Sequence, residues 1–386
     1  MKSTEQDELC LLRALRLARR GVGKTSPNPC VGAVLVRGGR VIGEGWHRRA
    51  GRPHAEVEAI ADAARRGESA RGATLFVTLE PCCTHGRTPP CTEAILAAGI
   101  RRVVVAATDP NPHHAGRGLT LLRAAGVTVE LAPSESRTAK EAALLNEAFN
   151  HWIVTRTPFV TVKAAMTLDG KIATSTGESK WITGPAARRI GLQWRAASDA
   201  ILVGIRTVLA DNPSLTARDA AGRLRKPLRR IVLDSLARTP LDSAVVSDDS
   251  AALTTVVVSR AAPAQRVRAL AARVNVLVAP TARGRINLRW LLAKLGAEGI
   301  TRLLVEGGGE VNAAFLSAGL AQRVAFFYAP KILGGRDARP AVAGDGAKRL
   351  ADLVPLRDVH WRRVGDDLLL TARVGAEPAP ESAVSA

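Results

Sequence analysis

The chain has 386 residues, enough for two or three domains, and 46% hydrophobic residues, enough to build real cores. No long uncharged apolar run is present, which excludes a membrane span, and the charged amino-terminal segment is not expected to act as a secretory signal. The net charge of +20 comes with a single Tyr and 3% aromatic residues, which favours attraction of anionic small molecules over binding of nucleic acid.

A helix is predicted to follow His54. Residues 55–64 are rich in Ala and contain no helix breaker before Gly67, and Pro53 suits the entry to a helix. His54 and Glu56 therefore lie near the start of this helix, where both side chains can face one pocket.

Two cysteines bracket a loop further along the chain. Residues 74–79 predict a buried strand, and residues 92–99 predict a helix that stops at its final Gly. Cys82 and Cys91 thus flank a loop that ends at a helix N-terminus. The positive end of a helix favours the thiolate form of a nearby cysteine.

Together these side chains are the set that a zinc deaminase needs. His54, Cys82 and Cys91 supply one imidazole and two thiolates, and a fourth zinc position stays open for water. Zinc lowers the pKa of such water to roughly 7. Glu56 can carry a proton from the water to the leaving amine. We therefore predict a catalytic zinc site.

The main alternative for this cluster is a closed structural zinc site. Such a site usually needs a fourth protein ligand, for which Cys83 and His85 are candidates. With two of five cysteines committed to zinc, a disulfide scaffold is not expected, and the composition predicts a reducing, cytoplasmic location.

The sequence changes character after residue 133. Residues 133–136 can cap a helix that runs through Phe149, and a new series of strands opens at residue 159 after Thr157-Pro158. The carboxyl-terminal residues show no pattern. The predicted divisions are residues 1–148, residues 149–374 and a disordered tail of residues 375–386.

A glycine-rich turn stands out in the second half. Residues 303–306 predict a strand, Gly307–Gly309 form the turn, and a helix is predicted from Val311. Glycines let backbone N–H groups approach a phosphate closely at a helix N-terminus. The turn lacks the full dinucleotide-binding fingerprint, and a tight connection without a ligand is the alternative.

The first half resembles the riboflavin-biosynthesis deaminase family. The loop from Cys82 to Cys91 reads CCTHGRTPPC, longer than the PCxxC of nucleoside and nucleic-acid deaminases, and residues 26–33, 43–56 and 109–118 carry further matches. The resemblance implies a cytidine-deaminase-like three-layer αβα domain, zinc on His54, Cys82 and Cys91, and Glu56 as the proton shuttle. The residues that it places around the pyrimidine and its phosphoribosyl arm are Asn28, His47, Arg87, Asp109 and Asn111.

One departure from that family lies in the same loop. The family usually has Ser-His after the first zinc cysteine, whereas this chain has Cys83-Thr84, with His85 following. Two alternatives stay open: His85 replaces the expected substrate contact through a small loop shift, or Thr84 makes a weaker one.

The second half resembles the riboflavin-biosynthesis reductase family, which has a dihydrofolate-reductase-like α/β fold and uses NADPH. The matches span most of residues 160–335. The residues that the resemblance places against NADPH are Ala165, Trp181, Thr207, Asp211, Ser235, Gly308, Gly309, Glu310, Val311, Asn312, Ala313 and Ala314. Those that it places toward the substrate are Ser179, Arg195, Leu215, Arg218 and Glu306. Guanidinium groups suit a ribose phosphate, and Asp211 and Glu306 are candidates for proton handling.

The two halves together predict consecutive steps of riboflavin biosynthesis on a phosphorylated pyrimidine, with Zn²⁺ and NADPH as cofactors. We expect a homo-oligomer, dimer or tetramer, without nucleic-acid or membrane partners. The alternatives are a nucleic-acid base deaminase, a non-catalytic module with structural zinc, and a chain with one live activity. In the last case, the deaminase half would be the inactive one, because Thr84 departs from the family pattern there.

Overall fold

The boundary between the two halves lies at an X-Pro bond. The computed structural model describes residues 2–86, 89–219 and 221–376, and the chain divides into two units between Thr157 and Pro158. Within these residues, no helix has both the length and the apolar character that crossing a membrane requires. The tail predicted for residues 375–386 lies almost entirely outside the described residues.

The first unit alternates strands with helices. Its helices are α1 (Lys2–Ala18), α2 (Ala55–Arg65), α3 (Cys91–Ala97), α4 (Arg117–Ala124), α5 (Arg137–Leu145) and α6 (Glu147–Thr155). Its strands are β1 (Gly32–Arg37), β2 (Arg40–Trp46), β3 (Thr74–Val77), β4 (Arg102–Val105) and β5 (Thr128–Leu131). The strand order is β2-β1-β3-β4-β5, with β1 antiparallel to both neighbours and β3, β4 and β5 parallel.

Helices cover both faces of this sheet, because successive strand side chains point to opposite sides. Val34 and Phe76 pack against α1 on one face. Leu35, Leu75 and Val105 pack against α2, α3 and α4 on the other. The predicted three-layer αβα architecture is confirmed.

Helix α2 lies unusually close to strand β2. A Cβ atom at Gly43 would lie 2.3 Å from the carbonyl oxygen of Ala59, and one at Gly45 would lie 2.2 Å from that of Ala55. Only glycine fits such an approach. This packing fixes the first turn of α2 against the sheet.

The single helix that the sequence predicts through Phe149 is divided in the structure into α5 and α6. Ser136 caps α5 by accepting a hydrogen bond from Ala139 N, as the sequence indicates. The helix then breaks at Asn146, whose buried amide donates to the Cys30 carbonyl at 3.0 Å and accepts from Cys30 N at 2.7 Å. Helix α6 continues through the boundary expected at residue 148.

The second unit is built on a larger sheet. Its helices are α7 (Pro185–Ala197), α8 (Ile205–Asp211), α9 (Ala244–Ser247), α10 (Ala264–Ala271), α11 (Leu288–Ala297) and α12 (Gly309–Ser317). Its strands are β6 (Phe159–Thr167), β7 (Lys171–Ala173), β8 (Ala200–Gly204), β9 (Ala217–Arg218), β10 (Leu224–Lys226), β11 (Arg229–Leu233), β12 (Thr254–Ser259), β13 (Asn275–Ala279), β14 (Thr281–Ala282), β15 (Arg285–Ile286), β16 (Arg302–Val305), β17 (Arg323–Ala329), β18 (Arg339–Pro340), β19 (Leu356–Val364) and β20 (Asp367–Val374).

Nine of these strands form one sheet, in the order β13-β12-β11-β8-β16-β6-β17-β20-β19. The strands from β13 to β17 are parallel, and β20 and β19 are antiparallel additions at the end. Apolar side chains of the parallel strands alternate between a core under α11 and α12 and a core under α8, α9 and α10. Burial on both faces explains why these strands are nearly continuous apolar runs.

A fully buried Arg230 ties strand β11 to its surroundings. Its guanidinium pairs with Asp248 at 2.7 and 2.8 Å and donates to Thr254 Oγ1, Ser214 O and Val245 O. Removing one member of such a pair leaves buried groups unsatisfied. We expect Arg230→Met to destabilise the second unit by about 3 kcal/mol, read as a lower melting temperature.

The matched control for this prediction is Arg223→Met. Arg223 forms an exposed pair with Asp219, and exposed pairs contribute little to stability. A melting temperature that falls equally in both variants would contradict the role assigned to Arg230.

Candidate functional site

The three predicted metal ligands meet at one point of the first unit. His54 Nδ1 lies 3.5 Å from Cys82 Sγ and 3.3 Å from Cys91 Sγ. All three ligand atoms fall within 4.8 Å of one another. One imidazole and two sulfurs at this spacing fit a zinc ion and leave its fourth position open.

The fold places each ligand at the edge of a regular element. His54 is the N-cap of α2, and Cys91 is the first residue of α3. Cys91 N donates to Cys82 Sγ at 3.3 Å. Hydrogen bonding between the two sulfur groups lowers the pKa of Cys82 to about 4 and raises the pKa of Cys91. Of the two sulfurs, Cys82 is therefore the one favoured as thiolate, and its partner at the start of α3, Cys91, keeps its proton in the absence of metal.

Glu56 lies in the first turn of α2 and is 3% exposed. Burial raises the pKa of its carboxyl to about 7. Its Oε2 atom is buried without a hydrogen-bond partner in the described structure. A buried polar atom without a partner calls for a bound water or ligand beside it.

A cavity of about 400 Å³ opens beside these residues. Among its lining residues are His54, Glu56 and Cys82 together with four of the predicted substrate-binding residues: Asn28, His47, Asp109 and Asn111. The structure therefore brings these predicted residues together. Arg87, the fifth predicted contact, lies outside the described residues.

Asn28 and His47 form one hydrogen-bonded pair on the cavity wall. His47 Nδ1 donates to the Pro53 carbonyl at 3.1 Å, so its Nε2 accepts from the Asn28 amide at 3.1 Å. Burial lowers the pKa of His47. The neutral ring thereby orients the amide oxygen of Asn28, which no other described contact uses.

The loop that carries Asp109 is held by a buried carboxylate that the sequence reading missed. Glu80 accepts hydrogen bonds from the backbone N–H groups of Asp109, Gly116 and Gly118, at 3.2, 2.9 and 2.9 Å. Burial raises the pKa of Asp109, whose Oδ1 accepts from Asn111 N at 2.9 Å. The only sequence signal for Glu80 was its place directly before Pro81-Cys82.

The alternatives for the Cys82–Cys91 loop are distinguished by position. His85 is exposed and lies 3.8 Å from Glu93, whereas Thr84 lines the cavity. Cys83 does not join the metal cluster among the described residues. Thr84 thus lies on the cavity side of the loop, and the cluster found among the described residues contains His54, Cys82 and Cys91 without Cys83 or His85.

In the second unit, predicted residues gather where parallel strands end. Thr207, Ser235 and Glu306 follow the carboxyl ends of β8, β11 and β16, which are neighbours in the sheet. Ligands of open α/β sheets bind along this edge. Ala165 lies on the adjacent strand β6.

A buried ion-pair cluster lies at this edge. Arg195 binds Glu306 through two nitrogens, at 3.0 and 2.8 Å, and Lys163 Nζ lies 3.8 Å from the same carboxylate. Although burial opposes it, the charges of Arg195 and Lys163 hold the pKa of Glu306 at about 2. Lys163 was not singled out from the sequence.

Two other predicted residues contact each other directly. Ser179 Oγ donates to Asp211 Oδ1 at 2.8 Å, at the end of α8. Trp181, two residues along, is 66% exposed, with the Arg188 guanidinium 4.6 Å from its ring. A large exposed aromatic beside this edge is available to a ligand.

The remaining predicted residues differ in whether their side chains are free to contact a ligand. Leu215 and Asn312 have buried side chains, and Asn312 donates to the Ala341 carbonyl at 2.8 Å. Contacts from these two positions would have to come from backbone atoms. Arg218 binds Thr216 Oγ1 and the Gly222 carbonyl, and Ser235 accepts from Ser259 through its carbonyl.

The glycine turn fits a phosphate-bearing cofactor. A Cβ atom at Gly309 would lie 2.4 Å from the Pro340 carbonyl, and one at Gly307 would overlap Val311 at 2.5 Å. A Cβ atom at Gly308, in contrast, would lie 3.9 Å from Thr207 Oγ1, its nearest neighbour outside the adjacent residues. Residues 309–314 then open helix α12, whose first N–H groups can receive a phosphate.

Comparisons with known proteins agree on both halves. Residues 4–107 match the cytidine and deoxycytidylate deaminase zinc-binding region, and residues 158–370 match the RibD C-terminal domain. The riboflavin biosynthesis protein RibD of Actinobacillus pleuropneumoniae is 43% identical over 359 residues, 93% of each chain. That of Escherichia coli (strain K12) is 42% identical over 377 residues, 95% of this chain and 98% of the relative.

Solved structures give the same result. Acinetobacter baumannii RibD, form 1, superposes with a TM-score of 0.83 at 36% identity, covering 96% of this chain and 99% of that one. A Thermotoga maritima diaminohydroxyphosphoribosylaminopyrimidine deaminase/5-amino-6-(5-phosphoribosylamino)uracil reductase has a TM-score of 0.79 at 35% identity, with the same coverage.

Proposed function

Since this chain belongs to the RibD family of riboflavin biosynthesis proteins, we propose that it deaminates a pyrimidine nucleotide in the cavity beside Glu56. We also propose that it reduces the ribosyl arm of that nucleotide at the sheet edge that carries Glu306. The chain is a bifunctional enzyme, with a zinc-dependent deaminase in the first unit and an NADPH-dependent reductase in the second. Deamination precedes reduction.

The proposed substrate of the first reaction is 2,5-diamino-6-(5-phosphoribosylamino)pyrimidin-4-one. Water replaces its 2-amino group, which leaves as ammonia, and the product is 5-amino-6-(5-phosphoribosylamino)uracil. The second reaction adds a hydride and a proton to the ribosyl arm. Its product is 5-amino-6-(5-phosphoribitylamino)uracil.

The unpartnered carboxylate oxygen of Glu56 carries the deaminase proposal. His54, Cys82 and Cys91 would hold the metal, and zinc bound there would supply a water that is nucleophilic at neutral pH. Glu56, whose buried Oε2 atom has no partner among the described residues, would take up the proton of the attacking water and give it to the leaving amine.

The cavity wall supplies the substrate contacts. Asn28, His47, Asp109 and Asn111 line the same cavity as Glu56 and offer amide, imidazole and carboxylate groups to a pyrimidine. Arg87 is proposed to bind the phosphate, since a guanidinium matches phosphate oxygens.

At the reductase site, the chain's own residues position two anionic molecules. The turn at Gly308 receives a phosphate of NADPH. NADPH supplies the hydride. The other residues that contact this cofactor are Ala165, Trp181, Thr207, Ser235 and residues 309–314. Ser179 and Asp211 hold each other at the end of α8, and Asp211 handles the proton. Arg195 and Glu306 orient the substrate, Leu215 contacts it through the backbone, and Arg218 binds its phosphate.

Both activities can be tested in one preparation. The diaminopyrimidine nucleotide is supplied with and without NADPH, and ammonia and NADPH are followed separately. Ammonia should appear in both reactions, and NADPH should be consumed only after deamination. Ammonia without any NADPH consumption would remove the reductase proposal, and the reverse result would remove the deaminase proposal.

Removal of the metal should affect one activity only. Because the three zinc ligands lie in the first unit, a chelator is expected to abolish ammonia release, and added Zn²⁺ should restore it. NADPH oxidation with the deaminated substrate should persist. Loss of both activities on chelation would contradict this assignment of the metal.

We also propose that the chain forms a homo-oligomer, dimer or tetramer. Strand β19 is the edge of the described nine-stranded sheet, and its Val359 and Trp361 side chains are 46% and 59% exposed. An edge strand presents unpaired backbone N–H and C=O groups, to which a strand of another chain can add. Sedimentation of the wild type against Val359→Asp tests this, and two monomeric proteins would refute it.

The proposed location is the cytoplasm. None of the five cysteines is paired in a disulfide. Zinc-binding thiolates need a reducing compartment to stay available to the metal.

A further inference from the structure

A chain of three polar side chains crosses the wall of the deaminase cavity. Thr84 Oγ1 lies 2.9 Å from His114 Nε2, and His114 Nδ1 lies 3.1 Å from Asp109 Oδ2. All three residues line the cavity that also contains Glu56. The chain joins the Cys82–Cys91 loop to the loop that follows β4.

The direction of these hydrogen bonds follows from the carboxylate at one end. Asp109 can only accept, so His114 carries its proton on Nδ1. With the Nδ1 proton assigned to the contact with Asp109, Nε2 is assigned as the acceptor, and the Thr84 hydroxyl donates its hydrogen to it. The Thr84 oxygen is left with lone pairs alone, and it can only accept a hydrogen bond from a ligand in the cavity.

The loop that carries His114 is well fixed. Glu80 binds the backbone N–H groups on either side of it, at Asp109 and at Gly116. The N–H of His114 itself donates to the Asn111 carbonyl at 2.8 Å. The adjacent His113, in contrast, is exposed and does not line the cavity.

We propose that His114 is a positioning residue that turns Thr84 into a fixed hydrogen-bond acceptor for an N–H or amino group of the pyrimidine. This inference rests on the proposed deaminase function and names a specificity element of the same site. Substrates that carry an N–H group at that position are selected, and analogues with only an acceptor there are rejected, because the Thr84 proton is already committed to His114.

The test uses a double-mutant cycle of Thr84→Val and His114→Ala in the full-length, zinc-loaded enzyme. Valine keeps the shape of threonine without its hydroxyl. We expect each single variant to raise KM for ammonia release about tenfold with little change in kcat, since one directed hydrogen bond is lost. The double variant should also show about a tenfold rise, because both changes remove the same contact.

Several controls separate positioning from a structural role. Thr84→Ser should restore KM to near the wild-type value, and His113→Ala should match the wild type. Zinc content and NADPH oxidation with the deaminated substrate should be unchanged in every variant. These readouts show whether the first unit holds its metal and whether the second unit is intact.

The outcomes are distinguishable from failure of the proposed function. Additive effects, near one hundredfold in the double variant, would overturn the coupling between Thr84 and His114. Wild-type KM in either single variant, or loss of zinc from either, would overturn the positioning role. If the wild type itself releases no ammonia while it oxidises NADPH, the deaminase function fails, and this inference fails with it.

Discussion

Replacing Glu56 with Gln is expected to reduce ammonia release by roughly 10²–10⁴-fold, the usual contribution of a positioned acid–base group. Glutamine fills the same buried space but cannot take up and release the proton. Zinc content and NADPH oxidation with the deaminated substrate should stay at wild-type levels. Steady-state kinetics with separate ammonia and NADPH readouts measure the effect.

The matched control is Glu58→Gln on the same helix. The Glu58 side chain points to Arg48, whose Nε lies 3.5 Å from its carboxylate, and it does not line the cavity. Ammonia release should therefore stay near the wild-type rate in this variant. Equal losses in both variants would show that the defect comes from disturbing α2 rather than from the missing proton carrier.

Replacing Glu306 with Gln is expected to destabilise the second unit and abolish reduction. The Arg195 and Lys163 side chains would keep their charges in a buried site without the carboxylate that balances them. Breaking a buried pair in this way costs about 3–5 kcal/mol. Thermal unfolding and NADPH oxidation measure the two effects, and Asp366→Asn, in an exposed turn, is the control.

Because of the same carboxylate, the stability of the second unit is expected to fall at acid pH. The folded pKa of Glu306 is about 2, below the 4.5 of an unperturbed glutamate. The stabilisation is therefore present above pH 4.5 and is lost as the pH falls toward 2, by about 3 kcal/mol in total. The Glu306→Gln variant should lack this part of the acid dependence, and an unchanged acid limb would contradict the pairing.

The sequence predicted the elements around the metal because their signals are local. Pro53 begins a helix entry, and Gly99 adopts φ +68° directly after the last turn of α3. Strand β3 and the two helices appear where the pattern placed them. Ligands at the ends of these elements could meet because the parallel part of the sheet brings those ends together.

Other features could not be predicted because they depend on contacts between distant segments. Glu80 binds backbone groups up to 38 residues away, and Asn146 breaks a helix to bind Cys30 across 116 residues. His114 lies beside Thr84 only after both loops have folded. No local spacing or periodicity records such pairs.

Residue roles taken from resemblance have a different weakness, since position along the chain does not reveal side-chain direction. Leu215 and Asn312 fall in matching segments, yet their side chains are buried in the protein. Lys163 belongs to a matching segment as well, but its proximity to Glu306 follows from the pairing of β6 with β16.

Glu80 has a consequence for redesign of this enzyme. Its carboxylate stands one residue before the Pro81-Cys82 step and holds the Asp109 loop through three backbone contacts, while a Cβ atom at Gly118 would lie 2.3 Å from the Pro81 carbonyl. The loop that begins at Pro81-Cys82 and the loop that carries Asp109 therefore depend on each other and have to be exchanged together. Exchanging either loop alone with a deaminase of other specificity would leave a buried carboxylate facing a foreign backbone, so chimeras should carry both from the same donor.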